Sequence, residues 1–161
     1  MGDNNYKRIN RRRLKSLLNL FQKLPKKNIN LGLYCEREGR VDVDEYGNFT
    51  PAKDIKLRTV QNQIEKEHTC DTIGCIAGWT VIKFGPPSWI IDQFGDILDE
   101  KGARIDIENE ARALLFGEGY YAGEVFAPNG SQRSDRAEII HRLKDVLKNG
   151  ERSKYLTFVS E

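Results

Sequence analysis

The sequence predicts an α+β domain that is mainly α-helical. Three observations support this class: apolar residues recur at helical spacing in several separate stretches, short alternations of apolar and polar residues lie between them, and 39% hydrophobic content over 161 residues suffices for one core. We expect about five helices packed around a central helix, Ile73–Phe84, with a small antiparallel sheet or hairpin. A chain of this length is most simply one domain, residues 1–161.

The first predicted helix is basic and covers about residues 8–24, ending before Pro25, which cannot continue a helix. Its apolar side chains fall on one face: Leu14, Leu17, Leu18, Phe21 and Leu24. Residues 1–30 contain nine cations and one acid, a net charge of +8, which leaves −6 for the rest of the chain. This asymmetry predicts either an anionic partner for the N-terminal end or an internal contact with the acidic remainder of the chain.

Short alternating stretches predict the sheet. Ile29–Cys35 alternates apolar and polar residues, and Val41–Thr50 has two short arms around a turn, which predicts a hairpin. The tail, Tyr155–Val159, has strand composition and is predicted to pair with Ile29–Cys35 or with the same segment of a second copy, forming a homo-oligomer. Residues from about 37 to 66 are predicted to be an insertion. Within it, Ile55–Lys66 is either a loosely held helix or part of a mobile segment.

The central stretch, His68–Trp79, brings polar capping residues, cysteines and small residues to the start of the longest apolar run. Asp71 or Thr72 has a side chain suited to capping the central helix. Gly74 and Gly78 lie four residues apart, on one side of that helix. Since glycine costs about 1 kcal/mol against alanine in a helix, we expect another backbone to approach closely there.

Two further helices are predicted after the central one. Pro86 or Pro87 suits the first turn of one helix, with a buried face formed by Ile90, Phe94, Ile97 and Leu98. Asp106 is predicted to cap the other, with an apolar stripe formed by Ile107, Ala111, Leu114 and Leu115. Gly117 is a typical stop residue for it.

A long loop and a last helix complete the predicted domain. The loop, Gly117–Arg133, contains four glycines and the neighbouring aromatic residues Tyr120 and Tyr121. Loops of this length are often functional. Ser134 or Asp135 is predicted to begin the last helix, and Gly150 to end it.

One motif in the central stretch is similar to a known pattern. Cys70-x-Thr72-x-x-Cys75-x-Ala77-Gly78-Trp79 resembles the C-G-T-x-x-C-x-A-G-[H/W] signature of small proteins without an assigned activity from phages, prophages and actinobacteria, with Asp71 in place of the usual glycine. The similarity extends to Asn30, Gly32 and Tyr34 upstream and to a C-terminal amphipathic helix. The resemblance implies a mostly helical, phage-type accessory protein, and it supplies no catalytic residue.

Three cysteines and a histidine are the candidates for thiol or metal chemistry. Cys35, His68, Cys70 and Cys75 are the ligand types of a Cys3His zinc site, although their spacing suits core packing better. Cys70 near a helix start, with His68 two residues away, is the candidate thiol nucleophile. A thiol- or zinc-dependent enzyme is therefore the third functional hypothesis.

A binding protein is the leading hypothesis, because no paired-carboxylate, nucleophile-elbow, metalloprotease or Walker signature occurs in the sequence. The resemblance, the basic N-terminus and the aromatic loop favour a non-enzymatic accessory protein that interferes with a host process, in one version by sequestering a nucleotide-derived defence signal. A helix start and cations would hold its phosphates, and aromatic rings would stack its base. The predicted ligand contacts are Thr72, Gly74, Trp79, Arg104, Arg112, Tyr120 and Tyr121.

The alternative hypothesis is docking to nucleic acid or to a host protein through the basic N-terminal helix. Cations spaced along one helical face can follow a row of phosphates. The residues predicted to make this contact are Arg8, Arg11, Arg12, Arg13 and Lys15. Non-specific binding is expected, because no helix-turn-helix or zinc-finger framework accompanies them.

No cofactor and no membrane contact are predicted. No secretory signal opens the chain, so we expect a cytoplasmic protein, in the host cell cytoplasm if a phage encodes it. The longest mostly apolar run, Ile73–Ile91, is interrupted by Lys83 and by Gly85-Pro86-Pro87, which predicts two buried elements and not a membrane span.

Overall fold

The computed structural model describes residues 9–31, 35–37, 42–43, 45–46, 49–50, 54–67, 72–117 and 120–158. These residues form an α+β fold that is mainly α-helical, as predicted. Six helices are α1 Arg11–Lys23, α2 Leu57–Glu67, α3 Ile76–Phe84, α4 Ile107–Phe116, α5 Gly123–Phe126 and α6 Asp135–Asn149. Two 3-10 turns, Lys26–Asn28 and Gly150–Arg152, follow α1 and α6.

The strands are short, and the five described pairings between strands are antiparallel. They are β1 Cys35–Arg37, β2 Asp42–Val43, β3 Phe49–Thr50, β4 Ile55–Lys56, β5 Thr72–Gly74, β6 Ile90–Ile91, β7 Ile97–Leu98, β8 Tyr120–Tyr121 and β9 Thr157–Phe158. Three pairs, β1 with β5, β2 with β3 and β8 with β9, accompany a three-stranded sheet in the order β4-β6-β7. The β2–β3 pair is the hairpin predicted over Val41–Thr50.

Helix α3 lies at the centre of the core, where it packs on α2, α4 and α5. Every residue from Ile76 to Ile82 is buried, because this segment is apolar on all sides and a helix of that kind must be enclosed. The predicted start at Ile73 is wrong by three residues. Thr72–Gly74 is strand β5, whose Gly74 carbonyl accepts a hydrogen bond from the Asn30 amide at 3.0 Å. Pairing with neighbouring extended chain thus displaces the helix start.

Helix α2 belongs to the same core. Leu57 and Val60 are fully buried, so the C-terminal part of the predicted insertion, from residue 57, belongs to a packed helix. The Gln61 side-chain amide donates to the carbonyl oxygens of Ile82 at 2.7 Å and Lys83 at 3.2 Å. These bonds satisfy carbonyl groups at the end of α3 that have no partner within that helix.

The prediction of a helix that begins at Pro86 or Pro87 is wrong. The segment forms β6 and β7 of the three-stranded sheet, and Phe94, predicted to be buried, is 72% exposed. Two Asp-x-x-Gly turns explain why this segment forms strands and not a helix. Asp92 Oδ1 accepts the amide hydrogens of Phe94 and Asp96, each at 2.9 Å, and this local bonding competes with helix formation.

The second turn repeats the first after seven residues. Asp99 Oδ1 accepts the amides of Lys101 and Ala103, each at 2.9 Å. Gly95 and Gly102 occupy equivalent positions with φ of 87° and 79°, which residues with a side chain rarely adopt. Pairing follows the same spacing in both turns, with Ile91 opposite Ile97 and Leu98 opposite Arg104.

The Asp-x-x-Gly sequence pattern occurs a third time between β2 and β3. Val43 pairs with Phe49, again six residues apart, and the intervening residues read Asp44-Glu45-Tyr46-Gly47-Asn48. Asp44 and Gly47 lie outside the described residues. Tyr46, at the position equivalent to Phe94, is 81% exposed. The two hairpins therefore present an aromatic ring at the same place in their turns.

The C-terminal tail pairs with the aromatic loop. Tyr120 lies opposite Phe158 and Tyr121 opposite Thr157, so the predicted pairing of the tail with Ile29–Cys35 is wrong. The two ends of that segment pair with β5 instead: Ile29 forms a bridge with Gly74, and β1, which begins at Cys35, pairs with β5. Pairing of the tail with a second copy stays a prediction.

A buried guanidinium joins the aromatic loop to α6. Arg142 is 4% exposed and its Nε donates to Glu138 Oε1 at 3.2 Å. Its other nitrogens donate to the carbonyl oxygens of Val125 at 3.0 Å, Ala127 at 2.6 Å and Pro128 at 3.2 Å. One side chain thus holds the end of α5 and the following turn.

Glu138 stays ionised in this buried network. Burial alone opposes its charged form, but hydrogen bonds from Ser131, Arg142 and Arg133 and the nearby positive charge outweigh burial and hold the pKa of Glu138 below its ordinary value. Arg133 Nη1 lies 3.2 Å from Glu138 Oε2. A buried charge pair of this kind is costly to break from either side.

In the part of the chain that the structure describes, no helix combines the length and the apolar character needed to cross a membrane.

Candidate functional site

Two of the aromatic residues predicted to stack a nucleotide base are core residues. Trp79 is 0% exposed and its Nε1 donates to the Asn28 carbonyl at 2.9 Å. Tyr120 is 1% exposed, and burial together with a hydrogen bond to Glu151 raises the pKa of its hydroxyl. Neither ring offers a free face to a ligand. Tyr121, the third, is 61% exposed on β8.

The remaining predicted ligand contacts lie on separate elements. Arg104 follows β7 and its exposed side chain pairs with Asp96 at 3.2 Å. Arg112 lies half-buried on α4, whereas Thr72 and Gly74 form the ends of β5. None of the seven residues lines the cleft described below. The described contacts therefore lend no support to the nucleotide pocket predicted from the sequence, which stays a prediction.

The structure describes two of the four candidate metal ligands. His68 and Cys70 lie outside the described residues, and Cys35 is known only as part of β1, opposite Gly74. Cys75 is buried, which raises the pKa of its thiol and keeps it in the protonated form that is a poor nucleophile and metal ligand. Among the described residues, no three His, Cys, Asp or Glu side chains come together as metal ligands.

Two of the arginines predicted to contact nucleic acid bind the ends of other helices. Arg11 Nη1 donates to the Leu147 carbonyl at 2.6 Å, in the last turn of α6. Arg13 Nη1 donates to the Leu114 carbonyl at 2.9 Å, near the end of α4. Cations are favourable at helix C-termini, where carbonyl groups lack partners. These two side chains therefore hold α1 to α4 and α6.

The same kind of contact occurs at the opposite end of α1. Arg136, in the first turn of α6, donates to the Leu24 carbonyl at the end of α1. Helices α1 and α6 are therefore antiparallel, and each supplies an arginine to the C-terminal end of the other. Two cations of the basic N-terminal segment, Arg11 and Arg13, are thus engaged by main-chain carbonyl groups of α6 and α4. A contact of this segment with the acidic side chains of the remainder stays a prediction.

The other cations of α1 face solvent. Arg12, Lys15 and Lys23 are exposed on α1, and Lys26 and Lys27 are exposed on the 3-10 turn that follows. No acidic residue occurs from position 9 to position 31. At 1.5 Å per helical residue, the cations on α1 span about 16 Å. These five residues are called the basic face. Arg8 lies outside the described residues.

A cleft of about 230 Å³ adjoins the basic face between α1 and α2. The end of α3 closes one side. Its lining residues are Ser16, Asn19, Leu20, Lys23, Leu24, Ile64, Glu65 and Lys83. Lys23 belongs both to the cleft and to the basic face, so the two surfaces are continuous.

Family models, curated proteins and solved structures show no match to this chain. Sequence reasoning missed the cleft residues of α2 and α3. The available signal was Lys83, the one charged residue in the otherwise apolar segment 73–84. A single charge in such a segment marks where the buried helix reaches the surface.

Proposed function

We propose that this protein is a non-enzymatic, phage-type accessory protein that binds nucleic acid through the basic face and thereby interferes with a host process. The observation that carries the proposal is a solvent-exposed row of five cations with no acid in the same segment. The phage-type assignment rests on the sequence resemblance. Such a row repels other cationic surfaces and attracts polyanions.

The geometry supports a phosphate backbone as the partner. Cations spread over about 16 Å of helix reach several successive phosphates of one strand, and each neutralised phosphate releases counterions. Lysine and arginine side chains on a helix are long enough to adjust to the phosphate spacing. If about four cations take part, the logarithm of the binding constant should fall with the logarithm of the salt concentration at a slope of about −3 to −4.

The proposal predicts that charge reversal on the basic face abolishes most binding. Arg12→Glu with Lys15→Glu should weaken binding of a fluorescein-labelled 20-nucleotide DNA at least tenfold at low salt and make the salt slope shallower. Fluorescence anisotropy from 50 to 200 mM salt measures both quantities. The matched control is Lys101→Glu with Lys144→Glu, which changes the net charge equally on exposed residues outside the basic face. Equal losses in the two double variants would refute the proposal.

Arg11 and Arg13 should behave differently from Arg12. Arg11→Ala and Arg13→Ala remove hydrogen bonds to helix ends, so each should lower the free energy of unfolding by about 1–2 kcal/mol, less for the exposed Arg11. Urea unfolding measures this change. DNA affinity of the folded variants should fall less than threefold, whereas Arg12→Ala should leave stability unchanged and reduce affinity more. The reverse pattern would place Arg11 and Arg13 in the contact with DNA.

A further inference from the structure

The cleft beside the basic face combines an apolar floor with a polar rim. Leu20, Leu24 and Ile64 are buried at its floor. Ser16 and Asn19 supply a hydroxyl and an amide from α1. Ligand sites in proteins combine apolar surface with polar groups that fix orientation, and here three apolar residues lie beside five polar or charged ones. The volume of about 230 Å³ suits one small ligand and not an extended chain.

Two ammonium groups border the cleft from different helices. Lys23 lies on α1 and Lys83 on α3, with Glu65 of α2 the single acid of the lining. The Lys83 Nζ lies 5.7 Å from the centre of the Phe84 ring. The lining therefore carries a net positive charge, which favours a ligand with an anionic group between the two lysines.

The polar groups on the α1 side are available to a ligand. Within the described part of the chain, no side-chain hydrogen bond or ion pair involves Ser16, Asn19 or Lys23. Asparagine offers both donors and acceptors, which match the edge of a nucleobase, and Glu65 accepts from hydroxyl groups such as those of a sugar. The apolar floor of Leu20, Leu24 and Ile64 suits the apolar face of a base.

We propose that this cleft binds one nucleotide. Lys23 and Lys83 hold its phosphate, Asn19 and Ser16 contact the edge of its base, and the base lies on Leu20, Leu24 and Ile64. The inference rests on the proposed function, because Lys23 joins the cleft to the basic face. The nucleotide is either free or the unstacked residue of a single strand whose phosphates follow the basic face. In the second case single strands bind better than duplexes, since a paired base is not free to enter.

The test uses the full chain with three probes. These are the four ribonucleoside 5′-monophosphates, a fluorescein-labelled single-stranded 20-nucleotide DNA, and its duplex. Lys83→Ala removes a cleft cation outside the basic face, and Lys66→Ala, exposed on α2 but outside the cleft, is the matched control. Asn19→Trp fills the cleft from an exposed position and serves as the second variant, with circular dichroism to confirm that each variant is folded.

Lys83→Ala and Asn19→Trp are each expected to weaken binding of the nucleotide ligand at least fivefold. The affinity of Lys66→Ala should stay within twofold of that of the parent. Loss of monophosphate binding in the cleft variants identifies a free nucleotide as the ligand of the cleft. Loss of binding to the single-stranded DNA alone, with duplex binding unchanged, identifies an unstacked nucleotide of a single strand as the ligand. If both cleft variants bind every probe as the parent does, or if no probe binds the parent, the cleft proposal is overturned.

The two proposals fail separately. If Arg12→Glu with Lys15→Glu weakens DNA binding while the cleft variants do not, the proposed function stands and the cleft proposal fails. If the parent binds a monophosphate, loses it in the cleft variants and binds neither DNA, the cleft proposal stands and the proposed function fails.

Discussion

Replacing Arg142 with alanine is expected to lower the free energy of unfolding by about 3–5 kcal/mol, because it removes one partner of a buried ion pair. The change leaves the buried Glu138 carboxylate without its neighbour on α6. It also removes the donors for three carbonyl groups at the end of α5 and in the turn after it. In a chain of this size the melting temperature should fall by about 6–20 °C, as differential scanning calorimetry would show.

Arg133→Ala is the matched control for this prediction. Arg133 contacts the same carboxylate at 3.2 Å, but its side chain is 49% exposed, so water replaces much of the interaction and the loss should stay near 1 kcal/mol. Similar losses in the two variants would mean that the Arg142 network contributes no more than a surface ion pair. A double variant, Glu138→Leu with Arg142→Met, should recover part of the stability, since it removes both charges together.

Trp79→Ala is expected to cost about 3–5 kcal/mol of folding free energy, the range for removing a large buried aromatic side chain. Trp79→Phe should cost less, about 1–3 kcal/mol, because it keeps most of the apolar volume but removes the indole donor from the Asn28 carbonyl. Chemical denaturation of both variants measures these losses. Binding of DNA or nucleotide by the folded Trp79→Phe protein should match the parent.

Tyr121→Ala provides the comparison for Trp79. Its ring is 61% exposed, so stability should change by no more than about 0.5 kcal/mol. A Trp79→Phe protein with parental stability and no ligand binding would contradict the assignment of Trp79 to the core. That result would return Trp79 to the set of ligand contacts predicted from the sequence.

The ends of α4 and α6 were predicted correctly from the sequence. Asp106 caps α4, with its Oδ1 accepting the Asn109 amide at 3.1 Å, and Ser134 caps α6 by accepting the Ala137 amide at 3.2 Å. Gly150 follows α6 as expected. These interactions join residues three positions apart, so the information is local and the sequence alone contains it.

The segment after α3 shows where spacing misleads. Ile90, Phe94 and Ile97 fit one face of a helix, yet Ile91 and Ile97 also fit opposite positions of a hairpin. The repeated Asp-x-x-Gly spacing was the signal that distinguishes the two, since aspartate binds the backbone of a turn and glycine permits a positive φ. The shift of the α3 start has another cause, because β5 depends on a strand far away in the sequence.

The sequence by itself determined the composition of the candidate site: a basic α1, with an amphipathic pattern that requires one face to be buried. Only the tertiary structure decided which cations are available. Arg11 and Arg13 meet the carbonyl ends of α6 and α4, whereas Arg12 does not, although the three are adjacent in the chain. The cleft likewise exists only because α2 and α3 bring Ile64 and Lys83 to α1. The sequence around a residue determines which face of a helix its side chain lies on. Contacts with distant parts of the fold determine whether its charge is engaged within the protein or available to a ligand.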